Sequence, residues 1–283
     1  MAARLENRNV SFVVKFCIYA VMLAFTALAV YPIFWLIIQS FKTTQEYLTT
    51  SKLAFPRNWF TGNYPYSWRM GKFGTLLMNS VFYSVTTVLA VVILSLMAGF
   101  AFAKLKFRIT PLLHGLFIIG ILITLQSIMI PLFLMVNAAK LYNTRLGVLI
   151  PYIGLGLPMG VYLCTEFVKS IPNELIESGR LDGAGYMRIF SGIVFPMCAP
   201  VAVTLGILTF TGTWNEFILI NILTSSDAIK SIPVGVARFS GALASDYGKQ
   251  FSALVIGLVP ILIFYAIFRK QITRGVAAGA VKG

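Results

Sequence analysis

Apolar residues dominate the chain in long runs, and short polar stretches separate them. Six runs reach membrane length, near residues 13–39, 75–103, 112–138, 146–168, 193–223 and 251–269. A transmembrane helix needs about 20 predominantly apolar residues, so the pattern predicts six spanning helices and no soluble domain. The first run is too long for a signal-peptide core, and no small-x-small cleavage site follows it. It therefore reads as an uncleaved first helix. Between the fourth and fifth runs lies a polar island, residues 174–196, ELIESGRLDGAGYMRIFSGIVFP. The longer connections, about 42–74 and 224–250, hold prolines, glycines and aromatics, among them Trp59, Phe60, Tyr64, Tyr66 and Trp68. Such aromatics commonly sit at headgroup level.

Composition agrees with a lipid environment: 58% of the 283 residues are hydrophobic and 11% are charged. The net charge of +14 marks basic loops, not nucleic-acid binding. With the N-terminus inside, 13 of the 23 basic residues fall in inner segments, among them Arg4, Arg8, Lys104, Lys106, Arg108, Arg180, Arg188 and Arg269. The positive-inside rule then predicts cytoplasmic N- and C-termini. Lys42, after the first helix, is expected to snorkel to the outer interface. Cys17, Cys164 and Cys198 lack metal-ligand spacing and read as small packing residues. His114 reads as an interfacial imidazole.

No nucleophile, base and orienting group converge, and no metal set is visible. Each Gly-Lys pair, Gly71-Lys72 and Gly248-Lys249, lacks the remaining phosphate-loop residues. Any ATP and magnesium would be bound by a partner ATPase, and no cofactor is expected in this chain. In the island, Pro172 suits the first turn of a helix running to about Leu181. Glu174, Glu177 and Arg180 share one arc, with Leu175, Ile176 and Gly179 opposite. Asp182 is expected to cap the following helix, and Gly183 to supply the turn. A helix of this length is marginal alone, so it either docks to a partner or lies on the headgroups.

The spacing of the island resembles the signature loop of binding-protein-dependent ABC permeases. That family's pattern is Glu-Ala-Ala, three residues, Gly, nine residues, then Ile-x-Leu-Pro. Here stand Glu177-Ser178-Gly179, Gly183, Ile193 and Phe195-Pro196. Ser178 and Gly179 replace alanines and Phe195 a leucine; Gly179 lowers helix stability by about 1 kcal/mol against alanine. The likeness extends along nearly the whole chain, through Tyr31-Pro32, Ser40-Phe41-Lys42, Asn79-Ser80, Ile130-Pro131-Leu132, Asp182-Gly183-Ala184 and Trp214-Asn215. It is similar above all to the shorter subunit of maltose-type carbohydrate permeases.

The resemblance implies an all-α membrane protein of six transmembrane helices, a type I ABC importer permease fold with cytoplasmic coupling helices. It forms one permease domain over 1–283, with a coupling loop at about 170–192 and a cytoplasmic tail at about 271–283. Glu174, Glu177, Ser178, Gly179, Arg180, Asp182, Gly183 and Ala184 would meet an ATPase. Gly279, Lys282 and Gly283 would give a tail contact, the alternative being a disordered tail. Implied partners are a second homologous permease, two ATPase subunits, an extracytoplasmic sugar-binding protein and membrane lipid, with no nucleic acid. The setting is the inner membrane.

Glu216, with Thr209 and Thr213 on one expected helical stripe and Trp214 and Asn215 beside it, forms a candidate substrate pathway; Gln126 and Ser127 are weaker candidates. A mid-membrane carboxylate costs roughly 2.5–3.5 kcal/mol on insertion scales. It must therefore face a polar cavity, where it could bond sugar hydroxyls, or hold helices together. The rival functions are an ABC permease for a polyamine, peptide or glycerol phosphate, and an ion-coupled secondary carrier. The carrier would need more buried ionisable groups and internal repeats.

Overall fold

The computed structural model describes residues 12–105, 107–241 and 246–280. Every regular element among them is helical. In chain order they are α1 (Phe12–Gln39), α2 (Thr44–Thr49), α3 (Asn63–Met70), α4 (Phe73–Lys104), α5 (Thr110–Leu122), α6 (Leu125–Ala138) and α7 (Arg145–Lys169). There follow α8 (Asn173–Leu181), α9 (Tyr186–Ile189), a π turn (Phe190–Val194), α10 (Phe195–Met197), α11 (Ala199–Asn215), α12 (Ile218–Leu223), α13 (Ile232–Gly241) and α14 (Tyr247–Ala280). A short 3-10 turn, Asp227–Ile229, precedes α13.

Among the described residues, four helices are singly long and apolar enough to cross a membrane: Val14–Gln39, Phe73–Lys104, Arg145–Lys169 and Tyr247–Gln271. The third and fifth predicted spans are bent pairs. One joins α5 to α6 at 108°, the other Tyr186–Met197 to α11 at 75°. Counting each pair as one span restores six. The expected fifth helix over 193–223 is also corrected at its far end. It starts at Tyr186, α11 stops at Asn215, and Glu216 is extended (φ −68°, ψ 127°) before α12 begins.

The π turn has a local cause. Pro196 has no amide hydrogen to offer, and its ring would crowd the carbonyl four residues back. The ladder widens there, with Phe195 N–H donating to the Phe190 carbonyl, as π turns do to absorb an extra residue.

Backbone contacts divide the chain into two units. The larger comprises Gly71–Arg238 and Val259–Gly283. Its centre is the contact of α4 with α7, where small residues let backbones approach, as membrane helix pairs require in place of a hydrophobic drive. A Cβ on Gly99 would lie 2.9 Å from the Cys164 backbone, and one on Gly156 2.8 Å from Val91. Around this seam Val91, Leu96, Phe100, Cys164, Val168, Val194, Cys198 and Leu205 form one buried cluster. Cys164 and Cys198 are thus packing residues, as their sequence positions suggest. Tyr83, Val148, Tyr152, Leu219 and Leu223 belong to a second cluster. Asn79 Nδ2 donates to the Ala228 and Lys230 carbonyls, and Tyr83 Oη to the Ile229 carbonyl, tying the 3-10 turn to α4.

The smaller unit comprises residues up to Met70 together with Phe239–Leu258. Most of α1 from Val14 to Val30 is exposed, which suits a lipid face. Its end is knotted by polar contacts. Asn63 Nδ2 donates to the Ser40 carbonyl at 2.8 Å and the Lys42 carbonyl at 2.9 Å. Ser40 Oγ and Tyr64 Oη lie 2.6 Å apart, and Ser67 Oγ and Ser252 Oγ 2.8 Å. Thr44 Oγ1 donates to Asp246 Oδ1 at 2.6 Å. Lys42 does not snorkel outward. It is fully buried, and its Nζ donates to the Ser51 carbonyl at 3.2 Å. Burial lowers its pKa, with Glu46 opposing the shift.

Candidate functional site: the α8–α10 segment and the Glu216 groove

Pro172 is the N-cap of α8, one position earlier than the first helical turn expected for it. Lys104 Nζ, at the last residue of α4, donates to the Ile171 carbonyl and to Asn173 Oδ1. The sequence suggested only a basic loop residue; its role as the anchor of α8 depends on a tertiary contact. Ile176 and Gly179 face inward while Glu174, Glu177, Ser178 and Arg180 are exposed. Leu175, on the same expected arc as Ile176 and Gly179, is exposed. A Cβ on Gly179 would sit 3.2 Å from Ile193 and 3.3 Å from Ile189. Glycine at this position accommodates those two bulky isoleucines, a packing reason for the departure from alanine.

The turn after α8 is a Schellman motif. Ala184 N–H donates to the Gly179 carbonyl and Gly183 N–H to the Arg180 carbonyl. Gly183 has φ +76°. These are the paired bonds of that motif with glycine in the left-handed position. Asp182 is accordingly the C-cap of α8, and Gly185 is the N-cap of α9. The expected N-cap role of Asp182 is therefore corrected, because the Schellman bonds already occupy this turn.

The tip of the segment also carries apolar side chains that the polar pattern concealed. Leu181 is 88% exposed and Met187 65%. The Arg180 guanidinium lies 5.5 Å from the centre of the exposed Tyr186 ring. The segment thus offers charges, an unobstructed left-handed turn and apolar anchors on one short stretch. The legible clue was Leu181 standing directly after Arg180, outside the buried arc of α8.

Glu216 sits elsewhere in the larger unit. Its carboxylate accepts from Tyr152 Oη at 2.7 Å, from Leu219 N–H at 2.7 Å and from Ile220 N–H at 3.1 Å. It links α7 to the break after α11 and satisfies the free amides at the start of α12. The expected helical stripe of Thr209, Thr213 and Glu216 is corrected, since Glu216 is not helical. All three nonetheless line one groove of about 250 Å³ with Tyr152 and Gly212. Trp214 is buried and stacks on Phe210, with ring centres 5.4 Å apart. Asn215 Nδ2 donates to the Thr211 carbonyl. Gln126 and Ser127 lie at the α5–α6 bend, exposed, with Ser127 Oγ 2.9 Å from Thr124 Oγ1. None of these four lines the Glu216 groove. Gly279 lies near the end of α14, while Lys282 and Gly283 lie outside the described residues. No group of three or more metal-ligating side chains is found among the described residues.

Comparison with known proteins adds a family. Residues 91–277 match the family described as binding-protein-dependent transport system inner membrane component. The chain is 37% identical, over 94% of its length and 96% of the relative's, to a Caldicellulosiruptor protein with the provisional name ABC transporter permease protein ORF2. It is 32% identical to the trehalose transport system permease protein SugB of Mycobacterium tuberculosis, covering 90% of this chain and 93% of that one. Among solved structures, a chain of a bacterial ABC transporter involved in import of the acidic polysaccharide alginate superposes with a TM-score of 0.81. The identity is 21%, over 93% of this chain and 98% of the other; at that identity the likeness supports the fold.

Proposed function

Because the chain belongs to the family of binding-protein-dependent transport system inner membrane components, we propose that it is the permease subunit of an ABC importer for a sugar or oligosaccharide. The sugar assignment draws on relatives such as the trehalose permease. The observation that carries the mechanism is the exposed α8–α10 segment, held from within by Lys104, Ile176 and Gly179 and turned by Gly183. It lies inside the matched region and presents Glu174, Glu177, Ser178, Arg180 and Asp182 to a partner.

In this reading ATP and magnesium are bound by two separate ATPase subunits. Their closure moves the α8–α10 segment and, through the π turn, the pathway beyond it. A second, homologous permease completes the pathway, an extracytoplasmic binding protein delivers the sugar, and both termini lie in the cytoplasm. Gly279, Lys282 and Gly283 provide a further contact to the ATPase pair. Glu216 serves as helix-to-helix glue. Its three hydrogen bonds are all made within the chain, which supports that role over a direct bond to sugar.

The test is purification of the chain in mild detergent from its native membrane, with mass spectrometry of the subunits retained. Co-purification of a second permease and a phosphate-loop ATPase is expected, after which the associated binding protein can be screened for its sugar. Recovery of the chain alone, active without ATP, would reopen the ion-coupled carrier reading.

A further inference from the structure

Where α4 ends and α5 begins, against the last turns of α7, the larger unit has an open pocket of about 300 Å³. Phe102, Leu105 and Phe107 wall it, and Thr110, His114 and Lys169 bring polar groups to it. Thr110 Oγ1 and His114 Nε2 are shielded from solvent and have no hydrogen-bond partner among the described residues. Leaving such a group unsatisfied costs about 1–3 kcal/mol, so two in one pocket call for a ligand that bonds both. The imidazole is held edge-on by Phe102, with ring centres 5.9 Å apart. Lys169 pairs with Glu166 at 2.7 Å, but both side chains are about half exposed. Such a surface pair is weak, which leaves the ammonium able to serve the pocket.

Thr110, His114 and Lys169 line one pocket, and a hydroxyl, an imidazole carrying its proton on Nε2 and an ammonium are donors for phosphate oxygens. Phe107 of the lining is exposed, and so are Ile109 and Leu112 beside it in the chain, so the surroundings are apolar. A soluble phosphate gains nothing from such surroundings, whereas acyl chains do. Basic pockets between membrane helices commonly hold lipid headgroups.

We propose that this pocket binds the phosphate of an anionic phospholipid, with Thr110, His114 and Lys169 as its ligands and Phe107, Ile109 and Leu112 against the acyl chains. The site rests on membrane insertion and not on the transport reading. It nevertheless adjoins the coupling machinery, because Ala103 and Leu105 line the pocket on either side of Lys104, the anchor of α8.

Native mass spectrometry of the purified complex, titrated with phosphatidylglycerol or phosphatidylcholine, measures the site directly. Wild-type protein should retain phosphatidylglycerol in preference to phosphatidylcholine. The double variant Thr110→Val, His114→Leu should weaken that retention roughly tenfold, the effect of losing two hydrogen bonds. Lys169→Gln, at a half-exposed position that leaves the fold intact, should weaken it several-fold. Lys140→Gln, which removes a basic side chain in the turn between α6 and α7, should not. Equal retention of the two lipids, or unchanged retention in both pocket variants, overturns the site. Displacement of phosphatidylglycerol by millimolar inorganic phosphate overturns the lipid assignment in favour of a free anion.

Discussion

Gly248 and Gly183 are both glycine, for opposite reasons. At Gly248 a Cβ would run into the Lys42 carbonyl and Asn63 Nδ2; the position is reserved for space, in a knot where Asn63, Thr44 and Ser252 bond within the chain. At Gly183 a Cβ would meet no described atom within 4 Å, yet φ is +76°. This position is reserved for a dihedral angle, and the surroundings are left open. One glycine closes a structure on itself, while the other holds a turn in a shape that something else can meet. The difference separates residues that hold the fold from residues that offer a surface.

The largest expected effect comes from filling the closed position. Gly248→Val should force apart the Asn63 bonds to the Ser40 and Lys42 carbonyls. Overpacking and unsatisfied buried groups together should lower stability by about 3 kcal/mol, read as a lower melting temperature in detergent. An unchanged melting temperature would show that the knot relaxes freely, and the contrast with Gly183 would fail. Gly183→Val should cost about 1–2 kcal/mol for a left-handed valine and leave insertion intact. ATPase activity of the assembled transporter should then lose its stimulation by the binding protein. Gly183→Asn, which tolerates the left-handed region better, should recover much of it. Full stimulation in the valine variant would sink the coupling assignment.

Glu216 tests whether the two classes exhaust the molecule, because it lines a groove and yet is fully paired. Glu216→Gln keeps an oxygen for Tyr152 or the α12 amides, so stability should fall by no more than about 1 kcal/mol and transport kinetics should hold. A changed substrate affinity would move Glu216 into the offering class. The smallest effect concerns Asp246 in the knot. Burial works against its ionisation, but hydrogen bonds from Lys249 and Thr44 outweigh that and hold its carboxyl below the ordinary 3.8. A depressed carboxyl pKa adds stability at neutral pH that is lost as pH falls through the folded value. The melting temperature should therefore be flat from pH 7 to about 5 and bend downward below about pH 4 through this group. Asp246→Asn should blunt that bend by a fraction of a kcal/mol, since the group is partly exposed.

The spans and the Gly183 turn could be read from the residues because each depends on local pattern: apolar length in one case, a glycine after a short amphipathic helix in the other. The bends could not. Residues 112–138 are mostly apolar on both sides of the short patch Thr124, Gln126 and Ser127, and three polar residues alone do not announce a 108° turn. Glu216 looked like part of a stripe because 209, 213 and 216 fit helical spacing, and only Tyr152 and the amides of α12 reveal it as a cap. Lys42 looked like a snorkelling end for the same reason: the carbonyl that receives it comes from a loop nine residues on. Asp182 was misplaced because its side chain suits an N-cap, whereas the backbone bonds of the glycine turn had already ended one helix there. What the residues conceal in each case is a long-range partner or a competing local bond.

The π turn at Phe190–Val194 gives the α8–α10 segment a mechanical property of its own. A π turn holds one more residue than the α-helix around it. In α-helical winding that residue would account for about 1.5 Å of rise and about 100° of rotation, and Pro196 keeps the ladder from closing that way. The backbone between the Gly183 turn and α11 therefore stores slack in a discrete unit, like a single tooth on a ratchet. Under the coupling role proposed above, a push on the exposed tip meets this extra residue before it reaches α11.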